Sequence, residues 1–187
     1  MKKIVFIIVF LINCSFINIT LAVEGQLSVT TGDHKLKHKK AYFAGGCFWC
    51  MEESFDNIKG VIKSISGYSG GHVKNPTYKQ VVYKKTGHVE TIEITYNPKL
   101  TNYQELLKVF WENIDPFDAT GQFCDKGDSY RSVAFYQNKK QKFFIDNSLV
   151  DIEKKFNNKK VVTLVWEFKK FYPAEDYHQD YYQKNFL

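Results

Sequence analysis

Residues 87–98, GHVETIEITYNP, alternate apolar and polar side chains with a period that only an extended chain can use. Ile92, Ile94 and Tyr96 share one face while Thr91, Glu93 and Thr95 share the other, which predicts a strand with one core face and one outward face. Beyond it the period changes. Tyr103, Leu106, Leu107, Phe110, Trp111 and Ile114 recur at helical spacing and stop at Asp115-Pro116, where the residue before proline leaves the helical region. A second stripe, Ile145, Leu149, Ile152 and Phe156, predicts another helix. Further strands are expected in 39–46, 61–66, 132–136 and 161–168, and shorter helices over 47–57 and from Pro76 to Tyr83. Strands separated by helices predict an α/β (α+β) sandwich, with the chemistry carried by loops.

The first residues read as an export signal. Lys2 and Lys3 precede an uncharged apolar run from Ile4 to about Ile19, and Thr20-Leu21-Ala22 supplies small residues for cleavage after Ala22. An uncleaved membrane anchor is the alternative, because the run nearly reaches spanning length. Lipidation at Cys14 fits poorly, since Asn13 stands where a small residue is needed. Cleavage removes two lysines from a formal charge of +6, and the remaining basic clusters at 35–40 and 138–142 are not interleaved with aromatics as a nucleic-acid surface would be. The segment 23–40 is polar and aperiodic, which predicts a flexible basic linker ahead of a domain at 41–187.

Losing Cys14 leaves Cys47, Cys50 and Cys124. An odd count is a poor disulfide framework, so these thiols are expected to do chemistry. The stretch AYFAGGCFWCMEE (41–53) holds two of them at a strand-to-helix junction. Zinc would need four ligands, and His72 and His88 stand at no familiar spacing from the cysteines. A thioredoxin-like disulfide oxidoreductase also places C-x-x-C at such a junction and stays open as an alternative. The intervening Phe48 and Trp49 would crowd that kind of site, yet they suit a pocket for a small apolar group. Cys47 follows Gly45-Gly46 at a helix start, where free backbone N–H groups and the dipole favour a thiolate, making it the expected nucleophile. Glu90 stands two residues before Ile92 and so shares its apolar face, which makes it a candidate general acid, or else an exposed residue at the strand start.

Six ordered segments, GGCFWCMEESFDNIKGV, GYSGGHVKNPTY, TGHVETIEITYNP, LLKVFWENIDP, GQFCDKGDSYRS and YPAEDYHQDYY, resemble the A-type peptide methionine sulfoxide reductases across Ala41 to about Gln183. The resemblance implies a mixed sheet with flanking helices, a ferredoxin-like core and a loop-rich C-terminal tail. It implies thiol-dependent reduction of the S epimer of methionine sulfoxide, free or in proteins, with no bound metal or organic cofactor. Cys47 matches the family's nucleophile and Glu90 its acid. Tyr78 and Tyr130 match tyrosines that bind the sulfoxide oxygen, Phe48 and Trp49 the methyl pocket, and Asp125 a substrate-backbone contact. A cysteine after Cys124, which some members use for resolution, is missing here. Cys50, Cys124 or an external thiol must then resolve a Cys47 sulfenic acid, and proximity favours Cys50. The expected electron donor is a thioredoxin-like protein or a dithiol, and the expected state is an exported monomer, periplasmic or secreted, without stable membrane insertion.

Overall fold

The computed structural model describes residues 37–83 and 85–185. The expected signal at 1–22, Cys14 and most of the 23–40 linker lie outside them. Lys39 and Lys40 already pair with Tyr96 and Thr95, so the first strand starts inside the segment read as linker.

Six strands form one sheet: β1 (Lys39–Ala44), β2 (Val61–Ser69), β3 (Val89–Tyr96), β6 (Val133–Tyr136), β7 (Leu164–Glu167) and β8 (Phe171–Pro173). Their order is β7-β6-β1-β3-β2-β8, and only the β6–β7 pair is parallel. Helix α1 (Phe48–Asp56) links β1 to β2, and α3 (Tyr103–Glu112) links β3 towards β6. The central strands β6-β1-β3-β2 with these two crossovers form the expected ferredoxin-like core, which the short α2 (Tyr78–Tyr83) and the small hairpin β4 (Gly121–Gln122) and β5 (Asp125–Lys126) interrupt.

One face of the sheet packs beneath α1, α3 and α4 (Lys139–Lys155). Phe43 stacks on Phe55 and Phe110 with centroids at 5.8 and 4.9 Å, and all three rings are fully buried. Each such side chain contributes about 1.5–3 kcal/mol of burial. Side-chain caps start the two longer helices: Asn102 accepts from Gln104 and Glu105 N–H, and Asn138 from Gln141 N–H.

The opposite face is not wet, as the alternation in β3 suggested. Phe168 stacks on Tyr42 at 3.7 Å, and Trp166 and Phe171 cover Val89 and Phe135. Glu93 is therefore buried rather than outward, and it accepts hydrogen bonds from Tyr42 Oη at 2.7 Å and Lys40 Nζ at 2.6 Å. A buried carboxylate needs such partners, and a period-2 pattern cannot reveal that a distant segment returns to cover the second face.

The loop-rich C-terminal tail carries three short elements. It adds β8 as an edge strand on β2, then a 3-10 turn at Asp176–His178 and the short helix α5 (Tyr181–Asn185).

Candidate active site

The end of β1 and the start of α1 build one wall of the site. Gly46 joins them at φ +87°, a conformation a side chain resists, and an added Cβ would stand 2.6 Å from Gln122 Cβ. Cys47 then occupies the cap position of α1. Phe43 pairs with Ile92 in the antiparallel β1–β3 register, which brings Glu90, two residues earlier on β3, level with the glycine turn.

Glu90 is 2% exposed. Its Oε2 accepts the backbone N–H of Phe48 at 3.0 Å, while Oε1 has no hydrogen-bond partner among the described residues. Burial pushes its pKa up to about 8, with the charges of Asp125 and Cys50 adding to the rise and the Phe48 N–H opposing it. Of the two readings of Glu90 open from the sequence, the structure gives the inward one. The carboxyl is neutral near pH 7 and has an oxygen free for a ligand.

The two thiols of the first motif interact. A hydrogen bond between Cys47 and Cys50, together with burial, raises the Cys47 thiol above its usual range, whereas the same bond and the Tyr182 hydroxyl lower Cys50 to about 6. The two sulfurs thus titrate as a pair that shares a proton, and Cys50 is the more exposed of them. A thiolate localised on Cys47 was the expectation from its place at the helix start. Two local facts bear on that expectation: Cys47 makes no side-chain cap bond, and the N–H of Phe48 is taken by Glu90.

Around the thiols stands an aromatic box. Phe48 is buried among Trp49, Tyr68, Tyr78 and His178, with ring centroids 5.0–6.3 Å away. Half-buried Trp49 stacks on Tyr181 at 3.7 Å and donates its indole N–H to His178 Nδ1 at 3.2 Å. His178 therefore carries its proton on Nε2, consistent with burial lowering its pKa. Both aromatics of the C-F-W-C motif thus face the site region, with Phe48 also packed as core.

Tyr78 opens α2 and Tyr130 closes a 3-10 turn after the β4–β5 hairpin. The two hydroxyls lie close enough to act on each other's ionisation, and both phenols feel the charge of Glu90. Burial raises both above the ordinary tyrosine range, so both remain protonated donors. Half-buried Asp125, in β5, lies close enough to bias Glu90, Cys50 and Tyr130. Cys124 beside it is exposed, next to Phe123 in a left-handed conformation at φ +49°. The three described cysteines are free thiols.

The tail supplies residues that sequence reasoning missed. Glu175 accepts from Tyr78 N–H at 3.0 Å and from Tyr68 Oη at 2.9 Å. Gln179 mimics a strand, accepting from Ser66 N and donating to Ser66 O, each at 2.9 Å. His178, Tyr181 and Tyr182 follow from that anchoring. Their sequence signal was the segment YPAEDYHQDYY (172–182), which carries the family resemblance but to which no site role was assigned.

His88, one of the two histidines weighed as zinc ligands, is buried and structural: Nδ1 accepts from Gly71 N at 3.1 Å and Nε2 donates to Val73 O at 2.8 Å. Among the described residues no group of three or more His, Cys, Asp or Glu could hold a metal ion. An apolar groove of about 580 Å³ between α3 and α4 is lined by residues that include Leu107, Trp111, Phe143 and Phe156, with no cysteine among them.

Fold and family place the protein among the oxidoreductases. The chain belongs to the peptide methionine sulfoxide reductase family, whose sequence model matches residues 39–187. It is 51% identical over 147 residues to a peptide methionine sulfoxide reductase MsrA of Listeria monocytogenes, covering 78% of this chain and 83% of that protein. A Staphylococcus aureus relative, MsrA 2, is 48% identical over 146 residues, with 78% and 82% covered. Among solved structures, the reduced form of Mxr1 from Saccharomyces cerevisiae superposes with a TM-score of 0.72 at 31% identity, over 80% of this chain and 86% of that one. Methionine sulfoxide reductase A of Corynebacterium diphtheriae gives 0.72 at 26% identity, over 80% and 76%.

Proposed function

We propose that this protein reduces the S epimer of methionine sulfoxide, free or in proteins, to methionine. The observation that carries the reading is Glu90: a carboxylic acid kept neutral by burial, with an unpartnered oxygen, beside a thiol pair that shares a proton. Family membership supports the substrate class.

The chemistry follows from these parts. As Cys47 sulfur attacks the sulfoxide sulfur, its proton passes to Cys50 along their shared hydrogen bond. Glu90 gives its proton to the sulfoxide oxygen, which Tyr78 and Tyr130 steady as it gains negative character. The methionine S–O bond breaks, and Cys47 is left as a sulfenic acid with Glu90 ionised. Two electrons have moved from the cysteine sulfur to the methionine sulfur. A second thiol then displaces the oxygen as water and closes a disulfide. Cys50 is that thiol in this reading, with exposed Cys124 the alternative. A thioredoxin-like protein or a small dithiol restores the reduced pair. A general disulfide reductase would have no use for Glu90 or for an aromatic box.

The test is turnover of separated sulfoxide epimers with dithiothreitol, comparing wild type with Cys47→Ser. Reduction of the S epimer alone, lost in the variant, supports the reading; reduction of neither epimer alongside intact insulin-disulfide reduction overturns it. Export is a second proposal, supported by the composition of residues 1–22. Amino-terminal sequencing of the protein recovered from cell fractions decides between cleavage after Ala22, a retained anchor and a cytosolic chain, and its elution volume tests the monomer.

A further inference from the structure

We propose that Tyr182 is a positioning residue for the resolving step, its phenol hydroxyl holding the Cys50 sulfur as an anion directed at Cys47. The proposal rests on reading Cys50 as the thiol that closes the disulfide.

Tyr182 Oη lies 3.3 Å from Cys50 Sγ, a contact joining residues 132 positions apart. The tail that brings it there is fixed to α1. Asp180 N–H donates to buried Glu52 at 2.9 Å, and Gln183 donates to Asp56 at 3.1 Å. Asp180 takes a left-handed φ of +53°, which turns the chain so that α5 begins against α1. Consecutive tyrosines then meet consecutive α1 residues: Tyr181 stacks on Trp49, and Tyr182 reaches Cys50. The first contact is to an aromatic of the C-F-W-C motif, and the second reaches the thiol beside the nucleophile.

The groups around Cys50 divide by sign. Asp125 opposes negative charge on its sulfur, and Glu90 and Cys50 disfavour charge on each other, whereas the Cys47 thiol and the Tyr182 hydroxyl donate to it. Contact with the thiolate in turn pushes the Tyr182 phenol up to about 12, so the phenol keeps its proton and acts as donor. Once Cys47 carries oxygen it no longer has a thiol proton to donate, and exposed Cys50 gives up to solvent the proton it received from Cys47. Tyr182 is then the remaining side-chain donor among these groups. In the resolving step the Cys50 thiolate attacks the Cys47 sulfur, the S–S bond forms, and the Cys47 S–O bond breaks. The departing oxygen takes a proton from solvent and leaves as water. The sum is sulfenic acid plus thiol giving disulfide plus water, with Tyr182 unchanged.

A donor of this kind has a distinctive kinetic signature. Hydrogen bonding increases the fraction of thiolate but lowers the nucleophilicity of each thiolate, with a Brønsted slope of about 0.4–0.5. Each tenfold loss of ionisation therefore slows attack about threefold below the thiol pKa, yet speeds it about threefold above.

The experiment is a single-turnover series on full-length wild type, Tyr182→Phe and Cys50→Ser, from mildly acidic to alkaline pH. Methionine release and Cys47–Cys50 disulfide are quantified separately after alkylation and peptide mapping. Phenylalanine keeps the ring and its packing. For Tyr182→Phe, disulfide formation slowed about threefold or more at acidic pH, with the two profiles crossing at alkaline pH, supports the proposal. Profiles that coincide, or that are slowed equally at every pH, overturn it, the latter marking a structural role. Failure of the underlying reading looks different: Cys50→Ser would still form an intramolecular disulfide at the wild-type rate, through Cys124. Should Tyr182→Phe lose its fold by circular dichroism, Tyr182→His, which restores a ring donor, must reproduce the wild-type acidic rate or the proposal falls.

Discussion

The backbone N–H of Phe48 donates to Oε2 of Glu90 at 3.0 Å, tying the first residue of α1 to the edge of the central strand β3. One oxygen of the acid is thereby fixed by the residue next to Cys47, and the other is left for chemistry.

Replacing Glu90 with Gln keeps an acceptor for Phe48 N–H but removes the transferable proton. Turnover of the S epimer should fall about a hundredfold or more, with the far-ultraviolet circular dichroism unchanged. Wild-type activity should follow a bell, rising through about pH 6 as the thiol pair ionises and falling through about pH 8 as Glu90 does. The alkaline limb should vanish in Glu90→Gln, and steady-state kinetics across pH reads both limbs.

Stability should decline as pH rises. Burial raises Glu90 to about 8 and Glu52 to about 7 in the folded protein, while an unfolded glutamate ionises at about 4.3. Between those values the folded state binds more protons than the unfolded one, so stability is full below about pH 4.3 for these two groups and is lost through their folded pKa values. Thermal unfolding should give a lower Tm at about pH 8.5 than at about pH 5.5, and Glu90→Gln should narrow the gap.

Separating the candidate resolving thiols takes two variants. Cys50→Ser should release one methionine per chain, then stall when thioredoxin is the reductant, since no intramolecular disulfide is available to it. Cys124→Ser should turn over at a rate close to wild type. A stalled Cys124→Ser beside an active Cys50→Ser would transfer the role to Cys124. Rapid-quench methionine assays distinguish these outcomes.

Gly46→Ala should damage both fold and site. Its φ of +87° costs an L side chain about 1–2 kcal/mol, and the new Cβ would press on Gln122, whose side chain accepts from Asp115 N–H. A Tm lower by several degrees together with a reduced kcat is expected, because any relief of the clash moves Cys47. Calorimetry and the epimer assay check the two parts.

The elements legible from sequence were those whose periodicity reports a single local face. The α3 stripe from Tyr103 to Phe110 is buried as its spacing implied, and β3 lies at the heart of the sheet. Glu90 was visible by parity because it shares its face with Ile92. Glu93 misled by the same logic, since the chain that covers it returns from beyond residue 166 and leaves no trace in a local pattern. The Cys47–Cys50 electrostatics escaped for a related reason. Which backbone N–H groups stay free at a helix start depends on partners such as Glu90, which lies far along the chain. His178, Gln179 and Tyr182 act through contacts spanning more than a hundred residues, and no spacing rule finds those.

The Trp49–His178 hydrogen bond closes a loop of 129 residues, and much of the aromatic box depends on it and its neighbours. Loop closure of that length is slow, and native pairing of this range comes late in folding. Cys47 and Cys50, three residues apart at the start of helix α1, need no such closure to stand side by side. A half-folded chain therefore presents its thiols before it has a pocket to choose what they meet. The newborn enzyme is for that interval a target of the oxidants whose damage it will later undo, and the speed with which the tail docks sets how many chains survive to work.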